Sequence, residues 1–411
     1  MKNRTLGVLF FIIFLDLLGF GIIIPILPSL LSIHHFNTSF LGSIHPLLTR
    51  EYILYGLLVA IYPLLQFFSS PILGQLSDRY GRKKLLIACL GTTALSYGMA
   101  VFGIRTNSIE LLLLGRAVGG MMGGNIAIAQ ATAADVTSER DRTRVYGLLG
   151  AGFGIGFILG PYIGGRLSDT TLNPLFGIDT PFIAAAALSI VATIVTALLL
   201  SETHEKSRRS SSFHVLQSLE DIGAAFGHTR LRALFVIGFL YQFAFTMFVS
   251  FFGVILFKQY HFNQNATGEY FAYTGLWIAA TQIIFTRVVA SLLGNKRMVA
   301  VSLVLCAVLS LAFSQTLPIV TLYAGTAVFA IANGLSQTGI LSLLSVNGDK
   351  RSYGKILGLN ASLSALAQSI PPAISGIIAT IYSIQAPLLV AATLMAGAFV
   401  YLLQKFNTIH D

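Results

Sequence analysis

Long apolar runs separated by short polar segments repeat along the whole chain. Each run is about 20 residues or longer, and none shows the strict alternation of apolar and polar positions that is typical of membrane barrel strands. A backbone in lipid satisfies its hydrogen-bonding groups only as helices or as a closed barrel. The pattern predicts an all-α polytopic membrane protein with 12 transmembrane helices at about 5–31, 52–74, 84–104, 109–134, 143–168, 179–200, 230–257, 268–292, 297–315, 317–344, 353–380 and 384–404.

Composition excludes a water-soluble globular protein, because 55% of the residues are hydrophobic and only 10% are charged. The two cysteines, Cys89 and Cys306, both fall inside predicted spans, so neither a disulfide framework nor a metal cage is indicated. The first external loop holds three histidines without cysteine or acidic companions, which argues against a metal site there. ATP-binding loops, nucleophile triads and zinc signatures are missing at usable spacing. We therefore expect no cofactor and no enzyme activity.

Basic residues predict the orientation. With the N-terminus inside, most of the 26 Lys and Arg fall on the cytoplasmic side, in clusters such as 82–84, 140–144 and 206–209. An even number of spans returns the C-terminus to the cytoplasm. The net charge of +10 thus reflects topology and does not indicate a nucleic-acid surface.

The apolar pattern is interrupted at 201–229, a segment rich in charge and serine, which predicts an N-terminal six-helix bundle at 1–200, a cytoplasmic linker and a C-terminal six-helix bundle at 230–411. A weak internal repeat supports two halves, because residues 160–167 align with residues 371–378. Two repeated halves place a substrate site at their interface, near the middle of the bilayer.

The segment from Gly74 to Lys84, GQLSDRYGRKK, places a turn-forming glycine, a carboxylate and four cations between two predicted spans. Asp78 can accept hydrogen bonds from helix N-terminal amides or from a neighbouring arginine, while Arg82 and Lys83 can anchor helix ends to the interface. Such a charge latch biases one conformation against another. The alternative is that these residues only set the topology.

Two ionisable residues fall within the predicted spans of the N-terminal half. Asp16 lies about 17 Å into the first span at 1.5 Å per residue, close to mid-bilayer. A carboxylate there can take up and release a proton as its surroundings alternate between wet and dry, or it can serve a backbone group or an arginine as a structural partner. Arg116, in the fourth span, needs a partner inside the bundle, and Asp16, a substrate anion or polar neighbours can fill that role.

The fifth span carries glycines at a four-residue spacing, at Gly152, Gly156, Gly160 and Gly164, followed by Gly165. Their stripe permits close helix approach, and Pro161 removes a backbone donor and favours a kink. The stripe is either a packing device or a surface on which two helices slide.

Four segments resemble motifs of a known family. Gly74, Leu76, Asp78, Arg79, Gly81, Arg82 and Lys83 match the signature of the major facilitator superfamily between its second and third spans. The sequences LDLLGFGIIIPILP, LLLGRAVGG and GIGFILGPYIGG resemble further motifs of its drug:proton antiporter branch, in particular the tetracycline-efflux proteins. The resemblance implies the major facilitator fold, a functional role for Asp16, a role of Arg116 in proton coupling, and antiport for the glycine motif. The C-terminal half carries only a degraded copy of the loop signature, SLLGNKR.

Aromatic walls with isolated amides suit flat, amphipathic organic molecules. The candidate cavity residues are polar or aromatic side chains within the spans, although some of them will face lipid or neighbouring helices: Gln66, Asn125, Gln130, Tyr241, Gln242, Phe245, Phe248, Phe252, Asn333, Gln337, Asn360 and Gln368.

These observations predict a monomeric, proton-coupled antiporter of the bacterial cytoplasmic (inner) membrane that exports drug-like small molecules, with protons and the bilayer as its other partners. Two alternatives stay open. One is proton-driven transport of a physiological solute such as a siderophore or a carboxylate metabolite. The other is a receptor on the same fold that does not transport.

Overall fold

The computed structural model describes residues 2–33, 36–137, 142–203, 217–228, 231–348 and 353–409. Several predicted features lie outside these residues: the basic residues Arg140, Lys206, Arg208, Arg209, Arg230, Lys350 and Arg351, and the loop histidines His34 and His35. The α-helices of the described part are α1 (Lys2–Ile23), α2 (Leu27–Ile33), α3 (Ser39–Ile44), α4 (Glu51–Tyr80), α5 (Arg82–Arg105), α6 (Ile109–Met122), α7 (Asn125–Asp135), α8 (Arg142–Leu167), α9 (Thr180–Leu199), α10 (Gln217–Gly227), α11 (Arg232–Lys258), α12 (Gln264–Ala280), α13 (Thr286–Ala312), α14 (Ile319–Asn347), α15 (Tyr353–Ser369), α16 (Pro371–Ile381) and α17 (Ala386–Gln404).

Among the described residues, ten helical stretches are long and apolar enough to cross a membrane. One of them, Gln264–Ala312, is too long for a single crossing and is interrupted at Gly294, which adopts φ 73° and ψ 162°. With this stretch divided and α8 included, the described part of the chain accounts for the 12 predicted transmembrane helices. The predicted all-α membrane fold is confirmed.

Breaks inside three of the crossings follow from their sequences. Pro25 lies between α1 and α2, the glycine pair at 123 and 124 separates α6 from α7, and Pro371 begins α16 directly after α15. Proline lacks a backbone donor, and glycine lowers helix propensity, so each break falls where helical hydrogen bonding is weakest.

The chain forms two compact units, one of residues 1–216 with 262–272, and one of residues 217–261 with 273–411. The core of the first unit includes Leu9 and Ile12 of α1 and Leu86 and Leu90 of α5. The core of the second includes Phe235 of α11 and Leu343 of α14.

The predicted linker contains the short helix α10, which belongs to the second unit. The Phe226 ring lies 6.0 Å from that of Phe239 in α11. Ser362 of α15 donates a hydrogen bond of 3.1 Å to Asp221. Helix α10 is therefore packed against the bundle of its own unit, while residues 204–216 of the linker lie outside the described part.

The loop predicted at 74–84 is a single-residue turn. Helix α4 continues to Tyr80, α5 begins at Arg82, and only Gly81 lies between them, at φ 102°. A side chain at Gly81 would also lie 2.5 Å from Glu202 Oε2, so both conformation and space favour glycine there. Gly74 lies inside α4 and forms no turn.

Candidate functional site

Asp16 lies in the middle of α1 and is 9% exposed. The side chain of Asn125, the first residue of α7, is a polar neighbour of its carboxyl group. Asn125 is itself buried, and its Oδ1 has no hydrogen-bond partner among the described residues. The amide is positioned at the α6–α7 break, so this interruption of the fourth crossing brings a polar group to the Asp16 carboxylate.

Arg116 of α6 is buried in the same unit. Its Nε donates to the Leu58 carbonyl of α4 at 3.2 Å, and its Cζ lies 4.9 Å from the centroid of the Tyr62 ring. Among the described residues, Arg116 makes no ion pair with Asp16, although the sequence made such a pair one option. A backbone carbonyl and an aromatic face are its partners, which is a stable arrangement for a guanidinium removed from water.

A second cluster forms at the Gly81 turn. The Arg82 side chain is 8% exposed, and its Nη2 lies 2.6 Å from Asp78 Oδ1, four residues earlier on α4. Its Nε lies 3.1 Å from Asp135 Oδ2 at the end of α7, and its Nη1 also donates to Ser77. The expected role of Arg82 as an interface anchor is wrong, because its charge is buried between two carboxylates.

The amides at the N-terminus of α5 are satisfied by Glu202, which follows α9. Glu202 Oε1 accepts from the backbone N–H of Arg82 at 2.9 Å, and Oε2 accepts from that of Lys83 at 3.2 Å. A carboxylate there also complements the positive end of the helix dipole. Asp78, which the sequence offered as a helix-terminal acceptor, is paired with Arg82 instead. Arg79 is exposed, with its Cζ 5.5 Å from the Tyr80 ring centroid.

The glycine stripe of α8 packs against α1. An ideal Cβ on Gly152 would lie 3.2 Å from the Phe10 ring, one on Gly156 3.0 Å from Phe14 O, and one on Gly160 2.7 Å from the Gly21 Cα. One on Gly164 would collide with the carbonyl of Ile22. The stripe thus brings two backbones into direct contact, as predicted for close helix approach.

The end of α8 also packs against the first part of α12, residues 264–272, which belongs to the first unit as α8 does. A Cβ on Gly165 would lie 2.6 Å from the Gln264 carbonyl oxygen, and one on Gly268 would collide with the Pro161 carbonyl. Pro161 lies inside α8, and its ring packs against Gly21 of α1. The ring Cδ lies 3.2 Å from the position that a Cβ on Gly21 would take.

The second unit contains a pocket of about 330 Å³. Its lining carries amide and hydroxyl groups and no acidic or basic side chain: Gly238, Tyr241, Gln242, Gln282, Gln337, Thr338, Ile340, Leu341, Asn360 and Ser364. Four of the predicted cavity residues are therefore brought together here, namely Tyr241, Gln242, Gln337 and Asn360.

The other predicted cavity residues lie elsewhere. Asn333 is buried beside the pocket, where its side chain and its backbone carbonyl both accept from the Tyr241 hydroxyl, the latter at 2.9 Å. Phe245 stacks between Tyr241 and Phe329, with centroid distances of 6.3 and 6.4 Å. Gln66 donates to the Gly123 carbonyl at the α6–α7 break, at 2.8 Å. Gln130 and Gln368 are exposed.

Two of the aromatic residues predicted to line the cavity, Phe248 and Phe252, are part of the hydrophobic core. Phe248 and Phe252 are 4% and 3% exposed, and they pack against each other and against Phe313 with ring centroids 4.8 to 5.9 Å apart. The pocket of the second unit is consequently lined by amides more than by rings.

Sequence reasoning missed three residues. Glu202 and Asp135 each lie at the end of an apolar run. An acidic residue at the end of a span, close to a basic cluster, was the available signal. Gln282 lies in a π-helical segment, Thr281–Phe285, that separates α12 from α13. The wider turn there redirects the side chains, and the sequence carries no signal for it.

The loop histidine His45 has a local role: its Nδ1 accepts from the Leu47 amide at 3.2 Å. Within the described part of the chain, no group of three or more histidine, cysteine or acidic side chains is arranged to hold a metal ion.

The sequence matches the profile of the Major Facilitator Superfamily over residues 9–372 and again over 234–407. It is 29% identical over 409 residues to Tetracycline resistance protein, class C, of Escherichia coli, covering 98% of this chain and 95% of that protein. It is 27% identical over 370 residues to Multidrug resistance protein 2 of Bacillus subtilis (strain 168), covering 89% of this chain and 86% of that protein.

A solved structure shares the fold. The human organic anion transporter MFSD10 (TETRAN) superposes with a TM-score of 0.72 at 24% identity, over 98% of this chain and 99% of that one. Together with twelve apolar crossings and a profile match over most of the sequence, this likeness shows that the chain is a multi-pass membrane protein of the Major Facilitator Superfamily.

Proposed function

We propose that this protein is a proton-coupled antiporter that exports amphipathic organic compounds by alternating access. The observation that carries the proposal is the buried Asp16 of α1, which has the Asn125 amide as a polar neighbour and no ion pair with a basic residue in the described part of the chain. A carboxylate without a fixed counter-ion inside a membrane bundle is well suited to exchanging a proton. Arg116 contributes a second buried charge to the same unit.

The relatives support export of drugs. Full-length relatives carry the names tetracycline resistance protein and multidrug resistance protein. The pocket of the second unit has an uncharged lining, which suits neutral, zwitterionic or monocationic solutes better than multiply charged anions. This favours drug export over the polycarboxylate or siderophore alternative.

The two packing features take roles in the transport cycle. The Asp78–Arg82–Asp135 cluster at the Gly81 turn serves as a latch that stabilises one conformation, with Arg79 and Lys83 beside it and Gly74 in the preceding turn of α4. The contact between the α8 glycine stripe and α1 provides a smooth surface on which the two helices shift during alternation.

The protein resides in the bacterial cytoplasmic (inner) membrane as a monomer, with both termini in the cytoplasm. The basic residues at 82–84, close to the Gly81 turn, support this orientation. The two predicted halves, 1–200 and 230–411, act as the moving bundles.

The test is transport by the purified full-length protein in liposomes with an imposed pH gradient. With an acidic interior, wild-type vesicles should accumulate tetracycline, and Asp16→Asn should abolish this accumulation while the protein stays folded. Asp169→Asn, which changes an aspartate outside the membrane helices, is the matched control and should transport as the wild type does.

Three results would contradict the proposal. Full gradient-driven accumulation by a well-folded Asp16→Asn protein would remove Asp16 from coupling. Transport of citrate but not of tetracycline or ethidium would replace drug export with transport of a carboxylate solute, and ligand binding without transport would favour the receptor alternative.

A further inference from the structure

The π-helical turn Thr281–Phe285 lies between α12 and α13, within the second unit. The Thr281 carbonyl accepts from the backbone N–H of Thr286, five residues later, whereas in an α-helix it would accept from the residue four later. The turn therefore contains one residue more than an α-helical turn. Compared with an uninterrupted α-helix, the additional residue rotates the side chains that follow it by about 100° around the helix axis. Turns of this kind are rare and are found frequently at functional sites.

The side chain of Thr286 also holds the turn. Its Oγ1 donates to the Thr281 carbonyl at 2.9 Å, so this oxygen accepts from both the backbone and the side chain of Thr286. A carbonyl oxygen has two lone pairs and can accept both hydrogen bonds. The Thr281 hydroxyl donates to the Trp277 carbonyl at 2.7 Å, four residues earlier, which is the spacing of an ordinary α-helix. The wider geometry thus begins at the Thr281 carbonyl, and Thr286 supplies two donors to it.

The start of the turn is fixed against α14. Thr281 is fully buried, and a Cβ on Gly334 would lie 2.8 Å from its Cγ2, so the two helices are in close contact there. Gln337 and Thr338 follow Gly334 by three and four residues, which places them on the same face of α14, and both line the pocket of the second unit. Gln282 comes directly after Thr281 and lines the same pocket. The fixed point of the turn and the pocket amide are therefore adjacent residues.

The residues after Gln282 face away from the protein. Ile283 is 80% exposed and Ile284 is 56% exposed, and in a membrane crossing such apolar surface contacts lipid. A shift of this turn by one residue would bring the Gln282 amide toward the lipid-exposed surface. An amide there loses its hydrogen-bonding partners, which is unfavourable. The position of the amide in the pocket therefore depends on the register of the turn.

From this arrangement we propose that Thr286 is a positioning residue of the pocket. Its two hydrogen bonds to the Thr281 carbonyl hold the π-helical turn, and the turn directs the Gln282 amide into the pocket. Thr286 is not one of the residues that line the pocket, so it acts on a solute through Gln282. The inference rests on the proposed function in taking this pocket as the site of the exported compound.

The test needs no substrate. The two cysteines of the chain, Cys89 and Cys306, are both buried, and replacing them by alanine leaves a protein in which Gln282→Cys adds a single thiol. Reaction of the purified full-length protein with a water-soluble maleimide measures whether this thiol is open to the pocket, because a thiol in lipid or in a packed core is inaccessible to the reagent.

Thr286→Val keeps the shape of the side chain but removes the hydroxyl donor. It should slow the maleimide reaction at position 282 by about tenfold, which is the population shift that the loss of one hydrogen bond produces. Thr286→Ser keeps the donor and should react as the parent protein does. Thr380→Val is the matched control, because the Thr380 hydroxyl donates to the Gly376 carbonyl at 2.8 Å in an ordinary turn of α16. It should leave the rate unchanged.

Deletion of Ile283 is an independent variant, because it removes the additional residue and leaves α-helical spacing between Thr281 and Thr286. The change of register reaches only to the break at Gly294, and Val288 and Leu292 in this stretch are 51% and 76% exposed. The deletion should slow the maleimide reaction as Thr286→Val does. Adding Thr286→Val to the deletion should have no further effect, since the turn that this residue holds is no longer present.

Unfolding midpoints establish which variants are folded. An unchanged reaction rate in folded Thr286→Val overturns the inference, as does equal slowing by Thr380→Val or slowing by Thr286→Ser. If Thr286→Val fails to fold, an unchanged rate in the Ile283 deletion overturns it. Transport is measured separately in liposomes that contain the wild type. If the wild type does not accumulate tetracycline while the maleimide rates change as expected, the proposed function is wrong and the role of Thr286 stands.

Discussion

Gly164 in α8 packs directly against the backbone carbonyl of Ile22 in α1, with no space for a side chain between them. The contact continues along the helix, because a Cβ on Gly160 would lie 2.7 Å from the Gly21 Cα. In a bilayer, where water does not drive helices together, close backbone packing is a main source of helix association. This pair of helices is therefore more sensitive to added volume than its apolar composition suggests.

We predict that Gly164→Ala destabilises the protein by about 1–3 kcal/mol or prevents its accumulation in the membrane, because the methyl group meets a backbone carbonyl that cannot move aside. Gly154→Ala is the matched control, since no atom of the described residues lies within 4 Å of a Cβ at that position. The measurement is the unfolding of purified protein in mixed micelles. Equal stability of the two variants would show that α1 and α8 separate easily.

The latch gives a second prediction. Asp78→Asn should lower turnover several-fold while ligand affinity changes modestly, because it alters the balance of conformations without touching the substrate site. Asp135→Asn should cost more stability than Asp78→Asn. Its carboxylate is 22% exposed against 49% for Asp78, and Arg82 is buried beside it.

Turnover in liposomes and unfolding midpoints of the two purified variants measure these effects. Wild-type turnover in Asp78→Asn would return the motif to a purely topological role.

The cap on α5 gives a third prediction. Glu202→Ala removes the acceptor of two backbone amides and should destabilise the protein by about 1 to 2 kcal/mol. Glu202→Gln keeps one acceptor oxygen and should lose about half as much. Glu220→Gln, at an exposed position on α10, is the control and should have no effect. A Glu202→Ala protein as stable as the wild type would show that water caps α5 equally well.

The pocket of the second unit gives a fourth prediction. Gln282→Leu and Gln242→Ala should each change the relative transport rates of tetracycline and ethidium by about tenfold, because an amide that no longer pairs with the solute costs about 1–2 kcal/mol. Phe245→Ala should alter total rates more than their ratio, since its ring supports Tyr241 instead of lining the pocket. Competition assays with both compounds measure the ratio. An unchanged ratio in both glutamine variants would exclude this pocket from solute selection.

Local sequence patterns were sufficient to predict the membrane crossings and the burial of Asp16. Hydropathy marks each span because the backbone must be hidden from lipid, and a carboxylate in the middle of a span has few places to lie except inside the bundle. The close packing of the glycine stripe was also predictable, because residues four apart lie on one face of a helix.

Partners distant in the sequence were not predictable in the same way. Glu202 lies 120 residues from Arg82, and Asp135 lies 53 residues from it, so only the packed bundle brings these charges together. The side chains of α11 illustrate a second limit. Phe248 and Gln242 lie on the same helix. Which of them faces the core and which faces the pocket depends on how α14, α15, α16 and α17 pack against α11.

The dependence of α5 on Glu202 has a consequence for how the chain is made. The amides of Arg82 and Lys83 belong to the third crossing, but their acceptor follows the sixth. During synthesis the ribosome must add more than a hundred further residues before this helix end acquires its permanent acceptor, so water or the insertion machinery must serve it in the meantime. We therefore expect membrane quality control to recognise truncated chains that stop before residue 202 as unfinished, even when their first five membrane crossings are inserted.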